Sequence, residues 1–230
     1  ESRLGVELTT RGDSLTIDNS STSSSATTIR FIADASSNTV QNCTIKGAET
    51  GAASGTIVIS TGTATGNVSD VISANTITSS GANLPTNAIY SAGTSAAIAN
   101  TASIANNNIQ DYFNATAASN GIFVASNSTA WTITGNKMFQ TAARNSTAAV
   151  SHRAINIVTA AGGGYTISSN TIGYSSSSAT GTTVYTNTAA AIRFFAIELT
   201  AATSPVSNIQ GNTITAISLT TTSAASTALR

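Results

Sequence analysis

Residues 165–173 read "YTISSNTIG", and near copies stand at 131–139 ("WTITGNKMF") and 207–215 ("SNIQGNTIT"). Reduced to chemistry, each is an apolar residue, two mostly small or polar residues, Asn, any residue, and a second apolar residue. Five segments fit this pattern: Ile72–Asn75–Ile77, Ile104–Asn107–Ile109, Ile133–Asn136–Met138, Ile167–Asn170–Ile172 and Ile209–Asn212–Ile214. A sixth, Val40–Cys43–Ile45, places Cys in the Asn column. The fourth position recurs at intervals of 32, 32, 29, 34 and 42 residues. A constant motif at a drifting interval describes one structural rung joined by loops of variable length.

An apolar strand follows each motif: "GTIVIS" (55–60), "NAIYSA" (87–92), "NGIFVA" (120–125), "RAINIV" (153–158) and "FFAIEL" (194–199). "TIRFIA" (28–33) precedes the first clear motif, and "SLTIDN" (14–19) is a degenerate rung before that. β-Branched runs separated by Gly-, Ser- and Asn-rich corners are strand and turn chemistry. No stretch carries capped 3.6-residue periodicity, so helix is at most a minor element.

The period and the Asn column favour an all-β parallel β-helix over a sandwich. In a solenoid each repeat is one coil, and neighbouring coils hydrogen-bond at ~4.8 Å, so six or seven coils make a rod ~30 Å long. Asn suits a tight corner because it tolerates the left-handed region. Its amide also bonds the Asn of the next coil, which predicts a buried ladder of Asn75, Asn107, Asn136, Asn170 and Asn212. The chain reads as a single domain over 1–230. Its first coils (1–34) are degenerate, its regular coils fill 35–218, and 219–230 form an open C-terminal end.

Composition narrows the function. Charged residues are 8% of the chain and the net charge is zero, which removes the electrostatic footprint of a nucleic-acid binder or a basic membrane surface. Hydrophobic residues make up 40% and recur regularly, which separates this Ser/Thr/Ala/Asn-rich chain from a disordered tract. The single Cys43 excludes an intrachain disulfide and a Cys-based zinc cluster. No apolar run approaches the ~18 residues that cross a bilayer. The chain begins at Glu1 without a visible signal peptide and reads as processed or excerpted from something longer.

The coils "NTVQNCTIKG", "ANTITSS" and "GNTITAI" resemble the right-handed parallel β-helix repeats of the pectin-lyase-like superfamily. More narrowly, "NCTIKG", "NLPTNAIYSAG" and "WTITGNKMFQT" are similar to repeat regions of very large secreted surface proteins of gliding bacteria. The resemblance covers nearly the whole chain. It implies an extracellular, non-catalytic, adhesin-like module at the cell surface, with neighbouring β-helix modules or itself as partner. That fold also hosts lyases, hydrolases, tailspikes and passive stalks, so the motif speaks to architecture rather than to activity.

A search for chemistry finds little. The nine carboxylates are Glu1, Glu7, Asp13, Asp18, Asp34, Glu49, Asp70, Asp111 and Glu198. They form no Asp-Asp pair and occupy no matching columns, whereas glycoside hydrolysis needs two carboxyls held at a defined separation. No cluster suits calcium either. No catalytic residue, metal or cofactor is therefore expected, and a polysaccharide lyase or hydrolase is the alternative. The sole histidine, His152, is expected in an exposed loop among solvated arginines rather than as a general base or anion clamp. Arg11-Gly12-Asp13 and six Asn-x-Ser/Thr sequons (at Asn19, Asn42, Asn67, Asn114, Asn127 and Asn145) are expected from composition alone. Thr76, Thr171 and Thr213 share a column, but Asn108 and Lys137 interrupt it, which argues against an ice-binding array.

Trp131 and Tyr165 occupy one column and are expected to pack on the coil. The loops between first and second strands lengthen along the chain, from 47–54 to 173–191. Loops leaving one edge of a solenoid share a face, which is where such proteins bind. Tyr112, Asn114, Arg144, His152, Tyr174, Tyr185 and Arg193 are accordingly the expected contact surface, with polysaccharide as a fitting ligand.

Overall fold

The structure is a computed structural model that describes residues 15–187 and 190–221. The chain repeats a circuit of short strands. The first circuit is β1 (Leu15–Asp18), β2 (Ile29–Phe31) and β3 (Thr39–Gln41). It is followed by β4 (Cys43–Gly47), β5 (Ile57–Ile59) and β6 (Asp70–Ser73), then by β7 (Thr76–Ser79), β8 (Asn87–Ala92) and β9 (Ala102–Ala105). The fourth is β10 (Asn108–Gln110), β11 (Ser119–Ser126) and β12 (Thr132–Thr134). The next two gain a strand: β13 (Lys137–Phe139), β14 (Arg144–Asn145), β15 (Ser151–Thr159) and β16 (Thr166–Ser168), then β17 (Thr171–Gly173), β18 (Thr183–Asn187), β19 (Arg193–Ala201) and β20 (Asn208–Gln210). β21 (Thr213–Thr215) and β22 (Ile217–Thr221) complete the described chain.

Strands one circuit apart pair in parallel, which gives a first wall of seven strands (β1 to β21), a second of six (β2 to β19) and a third of six (β3 to β20). A fourth wall, β14–β18–β22, exists only in the later circuits. This is the all-β parallel β-helix expected from the repeat. The degenerate rung at 14–19 supplies β1, which pairs in register with β4.

Register stacks like on like. The first wall sends Ile17, Ile45, Ile77, Ile109, Met138, Ile172 and Ile214 inward as one column. The third wall does the same with Val40, Ile72, Ile104, Ile133, Ile167 and Ile209. Members away from the ends are fully buried, each contributing roughly 1.5–3 kcal/mol of apolar burial. Trp131 and Tyr165 pack as expected, both at 0% exposure, and the Trp131 indole N–H donates to the Asn100 carbonyl.

The corner between third and first walls carries the ladder. The backbone N–H and Nδ2 of Asn75 both donate to Oδ1 of Asn107 at 3.0 Å. Asn107 repeats this toward Asn136, Asn136 toward Asn170, and Asn170 toward Asn212. The second Nδ2 hydrogen reaches back to the carbonyl at the apolar position of the preceding coil, as from Asn136 to Ile104. Cys43 ends the column, donating only its backbone N–H to Asn75.

One detail differs from the expectation. The left-handed residue is the one before the ladder position: Asn42, Ala74, Asn106, Gly135, Ser169 and Gly211 have φ of 56, 54, 57, 66, 56 and 64°. The backbone bends there, and the Asn follows with its side chain turned inward.

Two further stacks hold other sides of the helix. Asn67 donates its N–H and Nδ2 to Oδ1 of Asn100 between the second and third walls. Asn120 donates to Asn87, and Asn156 to Asn120, on the second wall.

Candidate functional site

Three of the seven expected contact residues, Tyr112, His152 and Tyr185, lie inside the molecule. Where the fourth wall begins, the first and second walls separate, and aromatic side chains fill the gap. Tyr112, His152, Tyr185 and Phe194 are each 2% exposed or less, and Phe113 is 7% exposed. The His152 and Tyr185 rings stack at 5.5 Å, Phe113 lies 4.8 Å from His152, and Phe194 lies 5.2 Å from Tyr185. The expectation of an exposed loop for His152 is therefore corrected: it belongs to β15 under the fourth wall.

The electrostatics follow from that burial. Burial, reinforced by the nearby Arg153 charge, lowers the His152 imidazole to about 4. His152 is thus neutral near pH 7, with Nδ1 at 2.6 Å from the Ser119 hydroxyl and Nε2 buried without a partner. Burial also pushes the Tyr112 and Tyr185 hydroxyls above their usual range. The arginines are not free solvated charges. Arg144 pairs with Asp111 and donates Nε–H to Gln140, and Arg153 pairs with Glu198. An anion clamp built on His152 and these arginines would have to displace two carboxylates.

The other three expected residues lie apart. Asn114 ties its own loop, accepting from the N–H groups of Thr116 and Ala117 while donating to Thr86. Tyr174 is half-buried with φ 61°. Arg193 is exposed at the start of β19. Among the described residues no hydrogen bond, ion pair or ring contact joins Asn114, Tyr174 and Arg193.

The carboxylates occupy separate settings. Asp34 accepts from the backbone N–H groups of Thr63, Ala64, Thr65 and Gly66 and from the Thr63 hydroxyl, which hold its carboxyl well below the usual range. Asp70 is buried, accepting from the N–H and amide of Asn38, and burial raises it. Glu49 is buried with Oε1 unpartnered. Glu1, Glu7 and the Arg11-Gly12-Asp13 tripeptide lie outside the described residues. Of the sequons, Asn67 is fully buried in a stack, whereas Asn42 and Asn145 are exposed.

Two surfaces remain that the sequence reading did not single out. The outer column of the second wall runs Arg30, Val58, Tyr90, Phe123, Asn156, Glu198. Tyr90 meets Phe123 edge-on at 5.5 Å, and Arg153 lies 5.2 Å over the Phe195 ring beside them. Alternation within "AIYS" and "GIFV" carries this signal, because an inward Ile forces its neighbour outward. The second surface is a groove of about 340 Å³ at the corner of first and second walls, lined in part by Thr22, Thr50, Leu84, Phe113 and Asn114. Its lining runs from the first circuit to the fourth, just before the fourth wall begins. No family model matches this chain, and neither a curated protein nor a solved structure is found to be similar to it.

Proposed function

We propose that this chain is a non-catalytic structural or adhesive module of an extracellular, cell-surface or filament-forming protein, stacking on neighbouring β-helix coils. The resemblance to repeat regions of large secreted surface proteins of gliding bacteria points the same way. The observation that carries the reading is the commitment of side-chain amides to axial stacks. Three separate Asn stacks run parallel to the rod and link one coil to the next, which is a design for length and stiffness. End faces support the stacking element: Ile209 and Ile214 are 47% and 50% exposed on β20 and β21, and Leu15 is 46% exposed on β1. Apolar strand edges such as these, which pair with no further strand among the described residues, associate. Analytical ultracentrifugation across concentration tests this, with end-to-end species expected. A monomer at every concentration, together with product release from acidic polysaccharides, overturns it in favour of the lyase or hydrolase alternative.

The second reading, polysaccharide binding, is favoured by the Tyr90–Phe123–Phe195 strip. Half-buried Tyr90 and Phe123 on successive coils, with Phe195 two coils on in the neighbouring column, offer sugar faces a rigid platform. Glycan-array binding that disappears in Tyr90→Ala and Phe123→Ala would support it; an array without signal sinks it.

A further inference from the structure

The corner between the first and second walls contains a carboxyl that the ladders and ion pairs leave out. Glu49 follows β4 and is 1% exposed, buried between Ala48 and Thr50, two residues that line the groove. Two buried oxygens there lack a hydrogen-bond partner, Oε1 of Glu49 and Oγ1 of Thr56. The space around them is filled: a Cβ on Gly47 would stand 2.3 Å from Thr56 Oγ1 and 2.8 Å from Glu49 Oε2. The same corner is fastened to the next coil by Asn87, whose Nδ2 donates toward the carbonyls of Gly51, Ala52 and Ser54, and by the Thr86 N–H on the Glu49 carbonyl.

Among the described residues no positive charge offsets this carboxyl. On the elements packed around it the titratable groups are Asp18 on β1, Arg30 on β2, Cys43 and Lys46 on β4 and Tyr90 on β8. Asp18 and Lys46 are register partners on the first wall. Arg30 is directed at Ser60, and Tyr90 faces Phe123. A carboxylate placed here would be charged and desolvated with no opposite charge to pair with, an arrangement that folded proteins avoid, and the backbone N–H groups of Glu49, Thr56 and Asn87 beside it do not outweigh its burial. As the neutral acid, it is compatible with burial and brings a donor that a carboxylate lacks.

We infer that Glu49 is a proton-held latch: protonated, it keeps the 47–56 corner closed beneath the groove, and its ionisation releases that corner and opens the groove. Burial lifts this carboxyl from 4.5 to about 8. A folded-state value raised above the unfolded one gives stability that is complete below about pH 4.5 and is lost as pH rises through about 8. The release therefore falls in mildly alkaline solution. Its consequence is local, because the Asn ladder lies on a different corner.

Amide hydrogen exchange of the whole chain, corrected for intrinsic rates, tests this at about pH 6 and about pH 9.5. Opening of segment 47–56 is expected to rise on the order of a hundredfold across that interval, while the ladder corner around Asn107 and Asn136 stays protected. Glu49→Gln, neutral at both values, is expected to remove the rise. Equal opening at both pH values, or the same rise in Glu49→Gln, overturns the inference. Should that variant fail to fold, a carbon-13 NMR titration of the wild-type carboxyl decides instead: a midpoint near 8 supports the latch and a midpoint in the ordinary carboxylate range rejects it. Neither measurement touches end-to-end stacking, so each idea can fail without the other.

Discussion

The early and late circuits of this rod solve the same packing problem differently. In the early circuits three walls close on one another, and stacked Ile columns fill the space between them. In the late circuits longer insertions push in a fourth wall, and the added volume holds Tyr112, Phe113, His152, Tyr185 and Phe194. Aliphatic columns need only a repeating rung, so each coil is specified locally and copied upward. The aromatic compartment depends on contacts between insertions of neighbouring circuits. The difference teaches that the repeat and the irregular loops build two cores side by side, and that loop length here is packing material.

Removing the stacked ring at the compartment's centre tests that division most strongly. Tyr185→Ala is expected to cost about 4 kcal/mol, in the range for deleting a buried aromatic side chain. Hydrogen exchange should show the fourth wall opening while β4 to β9 keep their protection; a uniform loss throughout the rod would erase the distinction. Asn136→Ala strikes the shared feature instead. It leaves the donors of Asn107 without their acceptor, for a cost of about 3 kcal/mol, read by chemical denaturation. Here early and late circuits should weaken together.

Acid should separate the two regions again. The His152 imidazole is depressed from 6.5 to about 4, so the folded state resists its protonation. The stability at stake is present above about pH 6.5 and is lost as pH falls through about 4, and it amounts to about 3 kcal/mol. Thermal melts of wild type and His152→Phe should show wild type losing stability relative to the variant as pH falls across that window. The smallest effect is expected at Gly135, with φ 66°. Gly135→Ala should cost about 1 kcal/mol, because its Cβ would meet the Asn106 side-chain oxygen at 2.2 Å. Ala74 already holds such a conformation, and Ala74→Gly should be close to neutral.

These contrasts explain what was legible in the sequence. The six-residue pattern could be read because inward Ile and ladder Asn answer to neighbours in fixed register, so their spacing survives as a text. The compartment could not, because Tyr112, His152 and Tyr185 stand in segments of differing length, brought together only by sideways packing. The left-handed column escaped for another reason: Asn42, Ala74, Asn106, Gly135, Ser169 and Gly211 share a backbone angle and little side-chain chemistry. The outer strip of Tyr90 and Phe123 was present in the alternation, yet an apolar run by itself does not say which face is wet.

The corner ladder also gives the rod a direction. From Cys43 to Asn170 the backbone N–H is handed toward the C-terminal side and met there by a side-chain oxygen. Each link therefore donates toward the C-terminal side and accepts from the N-terminal side. Two rods brought together by their C-terminal faces would oppose donor to donor. A coil that extends this seam past Asn212 must come head to tail and bring an acceptor oxygen in its own ladder position, so any such assembly inherits an arrow, and growth at its two ends is chemically unequal.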